Sequence, residues 1–563
     1  PAVVDWRNRW GTNFLAFPQA QGRCACCWAF ATTALLESMV RIQHGIWSKR
    51  SEADLLESSG RNCAKGWNFE GALDWIGHEG DGLADATCDI YYDSDRPYLA
   101  CGDRTGRTLK IGDYYKLASV DDQKRWLAEV GPITAGIIAY DDFSHWDPSK
   151  GVYTYDGKSQ KNRAHGMLIV GYDDTRSCWI VRNSWGSDWG DAGYGYIKYG
   201  EVEIDSYSKY GITNINPDHW TRRRHSNGNF YQSGDGATHR NFELLRRTKA
   251  GDMVPLTRIG EEPFTWTVGK PIDIGTFERG KGGVAGQPVI IETSFNRTKE
   301  AVYWLKEDLT LAHWYHSNPQ DTWWETPAIG TGDFFYSIFG YGEVTGYPGF
   351  IQNDNSDFTV VARLRLNGNQ SLGEFTRSIT TGEFVLKRFV TDSNISQSGP
   401  SLVQSNIGLD IYDPSTAGNM YVVAVLNSGE LQMWWRRATD EAWVEGETFG
   451  SGVGDTPPVM IQDFWDTANE SSYGGFQLLV ASNGHVEHWQ RLNNDIIENP
   501  PVAGGSGKWE PVDTFGDGIV HVWGLVQGSF NQALEAIVED NDGELWHWQY
   551  TGTWKQVAKL PSA

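Results

Sequence analysis

Two hydrophobic rhythms divide the chain. After Cys27, the run Trp28-Ala-Phe-Ala-Thr-Thr-Ala-Leu-Leu-Glu-Ser-Met-Val-Arg-Ile repeats apolar residues at helical spacing, which predicts a helix with an apolar face entered through Gly22-Arg-Cys-Ala-Cys. Further on, Gly166-Met-Leu-Ile-Val-Gly-Tyr is an unbroken apolar run of strand length, and Cys178-Trp-Ile-Val-Arg predicts another strand. From Asn229 the texture changes to short β-branched runs, glycines and tryptophans, the pattern of strands joined by turns. Between the two lies Asp218-His-Trp-Thr-Arg-Arg-Arg-His-Ser-Asn-Gly-Asn, charged and polar, read as a surface linker over 218–228. Within it Arg222-Arg223-Arg224 reads as a solvated charge run, with a processing site as the alternative.

The later part repeats. Gly429-Glu-Leu-Gln-Met-Trp434, Gly484-His-Val-Glu-His-Trp489 and Gly543-Glu-Leu-Trp-His-Trp548 share a turn glycine five residues before a tryptophan. Extended backwards, the register reaches Phe375, Trp314 and Leu256, giving six copies at a period of roughly 60 residues. A second register, Trp266, Trp324, Phe384, Trp443, Trp509 and Trp554, begins the next strand of each copy, and Gln352, Gln404, Gln462 and Gln527 are expected to start further strands. About four short strands fit each period, and a four-stranded sheet cannot bury both faces alone, so radial stacking into an all-β propeller is predicted over 229–563. Six blades are expected, or seven if Asn229-Phe-Tyr-Gln and the C-terminal strand build an extra or shared blade; stacked sandwiches are a further alternative.

Composition narrows the class. The 64 Gly and 27 Trp against 6 Met favour turns and aromatic-packed β structure. With 48 basic and 72 acidic residues the formal charge is −24, which repels phosphate backbones and argues against nucleic acid as a partner. No apolar run approaches the roughly 20 residues of a membrane span. All seven cysteines lie between Cys24 and Cys178, so thiol or disulfide chemistry belongs to the first part. Sequons at Asn296, Asn369, Asn394 and Asn469 fit a glycosylated, secreted protein, with a vacuole or lysosome as the alternative compartment. The opening Pro1-Ala-Val-Val-Asp5-Trp6-Arg7 carries no signal peptide and reads as a mature start.

Chemistry concentrates in the first part. Cys27 falls at a helix N-terminus, where unpaired N–H groups and the positive end of the dipole favour a thiolate. His165, just before the strand 166–172, is the candidate base, and Asn183, at the end of the next strand, can orient its imidazole while Trp185 shields that bond. Singly, each residue fits a structural role. Together they supply nucleophile, base and orienter.

The pieces Asp5-Trp6-Arg7, Gln21-Gly22-x-Cys24-x-x-Cys27-Trp28-Ala29-Phe30, Ser51-Glu52-x-x-Leu55-Leu56, Cys63-x-x-Gly66, Gly131-Pro132, His165 and Asn183-Ser184-Trp185-Gly186 resemble, in this order, the papain-like cysteine peptidases. The resemblance covers residues 1–217 and implies an α+β, two-lobed fold with a cleft between the lobes. It implies peptide hydrolysis through a thioester at Cys27, with His165 as base and then acid, Asn183 orienting His165, and Gln21 with the Cys27 N–H as oxyanion donors. It implies protein or peptide substrates, an inhibitory propeptide before activation, and no metal or organic cofactor. Disulfides Cys24–Cys63 and, by arithmetic more than family pattern, Cys88–Cys101 follow, leaving Cys178 free.

Subsite walls map by the same transfer to Lys65, Gly66, Trp67, Gly136, Arg163, Gly166 and Ile215. The two glycines at 136 and 166 imply a roomy pocket, Ile215 an apolar floor, and Arg163 either an acid-admitting group or an outward-facing one. The chain departs from the pattern at Ala25-Cys26, where Gly-Ser is common. Cys26 is read as an inert buried thiol, the alternative being a partner that traps oxidised Cys27. The aromatic repeats resemble those of tryptophan-rich propeller lectins, which implies binding of glycans, cell-surface glycoproteins or substrate. Two rival readings are a lectin or toxin-like binding protein with an inactive peptidase scaffold, and a ligase or transpeptidase using the same acyl-enzyme.

Overall fold

A computed structural model describes residues 1–216, 218–233, 241–258, 264–272, 284–295, 299–317, 322–325, 329, 342–378, 383–392, 394–409, 417–465, 474–493, 507–528 and 532–562. They divide into two compact units, one running to Thr221 and the other beginning at Arg222.

The first unit is built around the helix Cys27–His44, which is buried nearly all round and so reads as apolar on more than one face. Gly45 ends it in the left-handed conformation, its N–H returning to the Arg41 carbonyl. The one acid in its middle, Glu37, accepts from Lys49 at 2.6 Å. Helices Glu52–Ser58 and Phe69–Asp74 accompany it, each opened by a side-chain cap, Ser51 and Asn68. Beyond them lies a five-stranded antiparallel sheet of Val3–Asp5, Lys161–Asp173, Cys178–Arg182 and Tyr194–Lys198, with Ile133–Tyr140 also pairing with Lys161–Asp173. Disulfides Cys24–Cys63 and Cys88–Cys101 are formed, and Cys26, Cys27 and Cys178 are free. This is a small α+β module.

The second unit is β-rich. Six antiparallel sheets follow one another along the chain, with first strands Phe230–Gln232, Val284–Glu292, Gly349–Gln352, Ser401–Gln404, Val459–Gln462 and Ile519–Gln527. Each first strand touches the first strand of the next sheet, and that of the sixth touches that of the first. Six apolar clusters each draw from two consecutive sheets, one of them uniting the sixth with the first through Phe230, Leu256, Trp523 and Ile537. Burial of each Val, Leu or Ile in these clusters contributes about 1.5–3 kcal/mol. Asn229-Phe-Tyr-Gln supplies the first sheet and Trp554–Lys559 the sixth, so neither makes an additional one.

Leu256, Trp314, Phe375, Trp434, Trp489 and Trp548 each lie on the third strand of a sheet, and the second aromatic register begins or immediately precedes the fourth, except that Trp324 is the third residue of Thr322–Glu325. The glutamines differ from expectation: Gln352, Gln404, Gln462 and Gln527 end first strands. Their amides explain the position. Each Oε1 accepts an N–H from the preceding sheet, from Ser294 at 2.9 Å, Asp354 at 2.6 Å, Asn406 at 3.0 Å and Phe464 at 2.8 Å. Each Nε2 donates to a carbonyl of its own sheet's next loop.

Residues 218–228 are not a surface linker, and the arginine triplet is not solvated. Asp218 is buried against Arg50 at 2.9 Å in the first unit. Arg223 and Arg224 both pair with Asp354, and Arg222 donates to Gln232. Asn227 donates to the Ser401 hydroxyl and to the Leu402 and Met460 carbonyls, while Ser226–Gly228 pairs antiparallel with Ile519–Gln527 as a fifth strand of the sixth sheet. The charges are buried because carboxylate and amide partners wait for them, which the local sequence does not reveal. Of the sequons, Asn369 and Asn394 are exposed, whereas Asn296 and Asn469 lie outside the described residues. Among the described residues no helix is long and apolar enough to cross a membrane.

Candidate active site

The loop before the central helix turns at Gly22, whose φ is +59° and whose Cβ would lie 2.6 Å from that of Asp93. Cys27 is the helix's first residue, so its N–H has no carbonyl four residues back to bind. Strand Lys161–Asp173 lies against this helix start. A Cβ on Gly166 would be 3.3 Å from the Trp28 nitrogen, and the absence of one lets the Gly166 N–H donate to Cys27 Sγ at 3.2 Å.

His165 precedes that glycine and is buried. Its Nε2 meets Asn183 Oδ1 at 2.7 Å, and its buried Nδ1 has no hydrogen-bond partner among the described residues. Trp185 stacks on the imidazole with centroids 4.7 Å apart and planes 23° apart. Gln21 is buried: Ser184 Oγ donates to its Oε1 at 2.6 Å, and its Nε2 gives one hydrogen to the Cys24 carbonyl at 2.8 Å, leaving a second. The Gln21 N–H bonds the Ser184 carbonyl at 2.9 Å, tying the two loops together.

Burial dominates the electrostatics. It pushes the Cys27 thiol above its ordinary value, against the pull of the Gly166 and Trp28 N–H groups and the Arg163 charge. The helix N-terminus alone therefore does not deliver a thiolate. Burial likewise lowers His165 to about 4, with the Asn183 bond opposing and the Arg163 charge assisting. Cys26 is buried and pushed up to about 12 by desolvation, its Sγ 3.2 Å from the Tyr91 hydroxyl. Cys178 is buried and raised to about 11 by the same cause.

Of the expected subsite residues, Trp67 packs edge-on against Trp28 with centroids 5.3 Å apart. Lys65 and Gly66 are exposed, and Arg163 is exposed on the strand that carries His165. Gly136 and Gly166 face each other across paired strands, yet the space they leave is taken. The Tyr207 ring stands 3.0 Å from where a Gly136 Cβ would be, and the Phe69 ring 3.0 Å from that of Gly166. Ile215 is not at the cleft. Its carbonyl bonds His44 and its N–H bonds Gln43, at the far end of a helix about 25 Å long from Cys27. The ring that closes on Gly136 is that of Tyr207, which the sequence mapping did not select.

Comparison with known proteins agrees with this geometry. Residues 1–214 match the papain family cysteine protease. The chain is 31% identical over 210 residues to procathepsin L of Felis catus, covering 34% of this chain and 59% of that protein. It is 32% identical over 208 residues to vignain of Vigna mungo, covering 34% and 53%. It is 34% identical over 200 residues to digestive cysteine proteinase 3 of Homarus americanus, covering 34% and 60%. The chain thus spans less than two thirds of the length of these relatives. Digestive procathepsin L 3 of the Tenebrio molitor larval midgut aligns at 26% identity with a TM-score of 0.33, over 38% of this chain and 70% of that one. The N-terminal part of the chain is a papain-like cysteine-protease domain, and its two disulfides are consistent with a secreted, vacuolar or lysosomal setting.

Proposed function

We propose that the protein is a cysteine endopeptidase whose nucleophile is Cys27. The observation that carries this reading is the convergence of Cys27 Sγ on the Gly166 N–H at 3.2 Å with the His165–Asn183 bond at 2.7 Å. As Sγ attacks a peptide carbonyl, its proton passes to His165 Nδ1, the ring nitrogen that Asn183 leaves free. The second Gln21 amide hydrogen and the Cys27 N–H stabilise the oxyanion, and His165 returns the proton to the departing amine. Water then cleaves the thioester with His165 again as base. Substrates are proteins or peptides, and an inhibitory propeptide fits the procathepsin likeness.

The six sheets are read as blades of a six-bladed propeller, supported by their cyclic order of contact. Its proposed role is to bind substrate, glycan or cell surface, as its likeness to tryptophan-rich propeller lectins implies. An epoxide-type thiol reagent is expected to label the wild type once and the Cys27→Ala variant not at all, because Cys26 and Cys178 are buried. Lack of Cys27-dependent labelling in reducing buffer rejects the peptidase reading. A fragment ending at Thr221 is expected to hydrolyse small peptides and to lose binding to large or glycosylated targets.

A further inference from the structure

The sequence leaves Arg163 with two fates, and its surroundings favour one. It lies two residues before His165 on the same strand, and strand alternation sends both side chains to the face that holds Cys27 and His165. Its cross-strand neighbour on that face is Ala139, whose methyl group is too short to cover it. The guanidinium is exposed and forms no ion pair among the described residues. It is close enough for its charge to act on both the Cys27 thiol and the His165 imidazole.

More positive charge stands nearby. Trp67, packed beside the residue that follows Cys27, carries Arg61 over its ring at 4.1 Å, and exposed Lys65 precedes it. The carboxylates of this neighbourhood are otherwise engaged or aimed: Glu70 accepts from the Tyr210 hydroxyl at 3.1 Å, and Asp95 from the Cys63 N–H at 2.6 Å. Asp93 packs against Gly22. None pairs with Arg61, Lys65 or Arg163.

A guanidinium without a partner, open to solvent beside a peptide-cleaving pair, matches a carboxylate in both charge and planar geometry. We propose that Arg163 determines specificity, selecting peptides that carry an aspartate or glutamate side chain within two residues of the bond cleaved. This rests on the peptidase reading above.

The test uses the full-length protein and paired peptides that differ only in Glu or Gln at each position flanking one cleavable bond. At one position the wild type is expected to show a kcat/KM about tenfold higher for the Glu peptide, falling with ionic strength. Arg163→Gln collapses that ratio, and Arg163→Glu turns preference toward a Lys peptide. Equal rates for all pairs, or a Glu preference that survives Arg163→Gln, overturns the proposal. Binding of the same fluorescent peptides to Cys27→Ala separates this from the peptidase reading. A Glu preference in binding that disappears in Cys27→Ala/Arg163→Gln supports the role of Arg163 even if no bond is cut. Absence of any such preference in binding overturns it even if peptides are hydrolysed.

Discussion

Gln21 is positioned by its neighbours on both sides, and one of those links runs through the residue where the family pattern departs. Tyr91 donates its hydroxyl hydrogen to the Gln21 carbonyl at 2.6 Å, so the Cys26 thiol, 3.2 Å away, is left to donate to Tyr91. Burial keeps that thiol protonated at neutral pH, which gives Cys26 a structural task. Removing an oxyanion donor costs about 10²-fold or more in turnover, so Gln21→Ala is expected to lower kcat by that amount with the fold intact. Tyr91→Phe, which only loosens the loop, is expected to lower kcat by about tenfold with KM held, as steady-state kinetics will show. His165, held at about 4 by burial, is neutral and able to accept a proton above that pH and charged below it. The acid limb of kcat/KM is therefore expected near pH 4, well below the 6.5 of a free imidazole. Asn183→Ala removes the bond that raises this value, so its limb moves lower still. The His165–Asn183 bond, and the approach of Cys27 to the strand that carries His165, were legible in the sequence because the chemistry restricts both residue type and linear order. Ile215 was misplaced because nothing local encodes how Lys209–Ile212 registers against Tyr114–Leu117.

At the scale of the elements, the repeats carry more than their aromatic residues. Two residues after Leu256, Phe375, Trp434 and Trp489 comes an arginine, Arg258, Arg377, Arg436 or Arg491, and all four are buried at the end of a third strand. Three reach a glutamate of the preceding sheet: Arg377 to Glu300 at 2.6 Å, Arg436 to Glu374 at 2.8 Å, and Arg258 in the first sheet to Glu535 in the sixth at 3.5 Å. The arginines recur at a fixed offset in the sequence, but their burial depends on glutamates of the neighbouring sheet, which no local pattern encodes. The glutamine positions were seen and given the wrong end of the strand, because their role depends on the neighbouring sheet and not on local propensity. Arg436→Met leaves Glu374 with the Trp443 indole at 2.9 Å and Arg388 at 3.5 Å, and is expected to cost about 1–3 kcal/mol, read as a shift of the denaturant midpoint. Gln462→Leu breaks two bonds to Asn406 and one to the Gly474 carbonyl, and is expected to cost about 1–3 kcal/mol.

For the whole molecule, acid is expected to weigh on the second unit. His225 and His488 are depressed to about 3 and His521 to about 4, chiefly by burial. Because these folded values lie below the unfolded 6.5, their stability contribution is complete above about pH 6.5 and is lost as pH falls toward 3. Thermal melting of the fragment 222–563 across that range is expected to show a falling midpoint; a flat one contradicts the burial of these imidazoles. A fragment starting at 229 lacks Ser226–Gly228 and the three bonds of Asn227, and is expected to melt about 5–10 °C below one starting at 222.

That pairing of Ser226–Gly228 with Ile519–Gln527 also sets an order of events during biosynthesis. The papain-like unit emerges from the ribosome first and contains everything its own sheet needs. The next unit must hold its opening strand unpaired through nearly three hundred residues of translation, until the strand Ile519–Gln527 that receives it has been made. A premature stop before residue 519 therefore does not trim the second unit by one sheet; it leaves Ser226–Gly228 unpaired and uncovers the apolar residues that the first and fifth sheets bury against the sixth, an aggregation hazard.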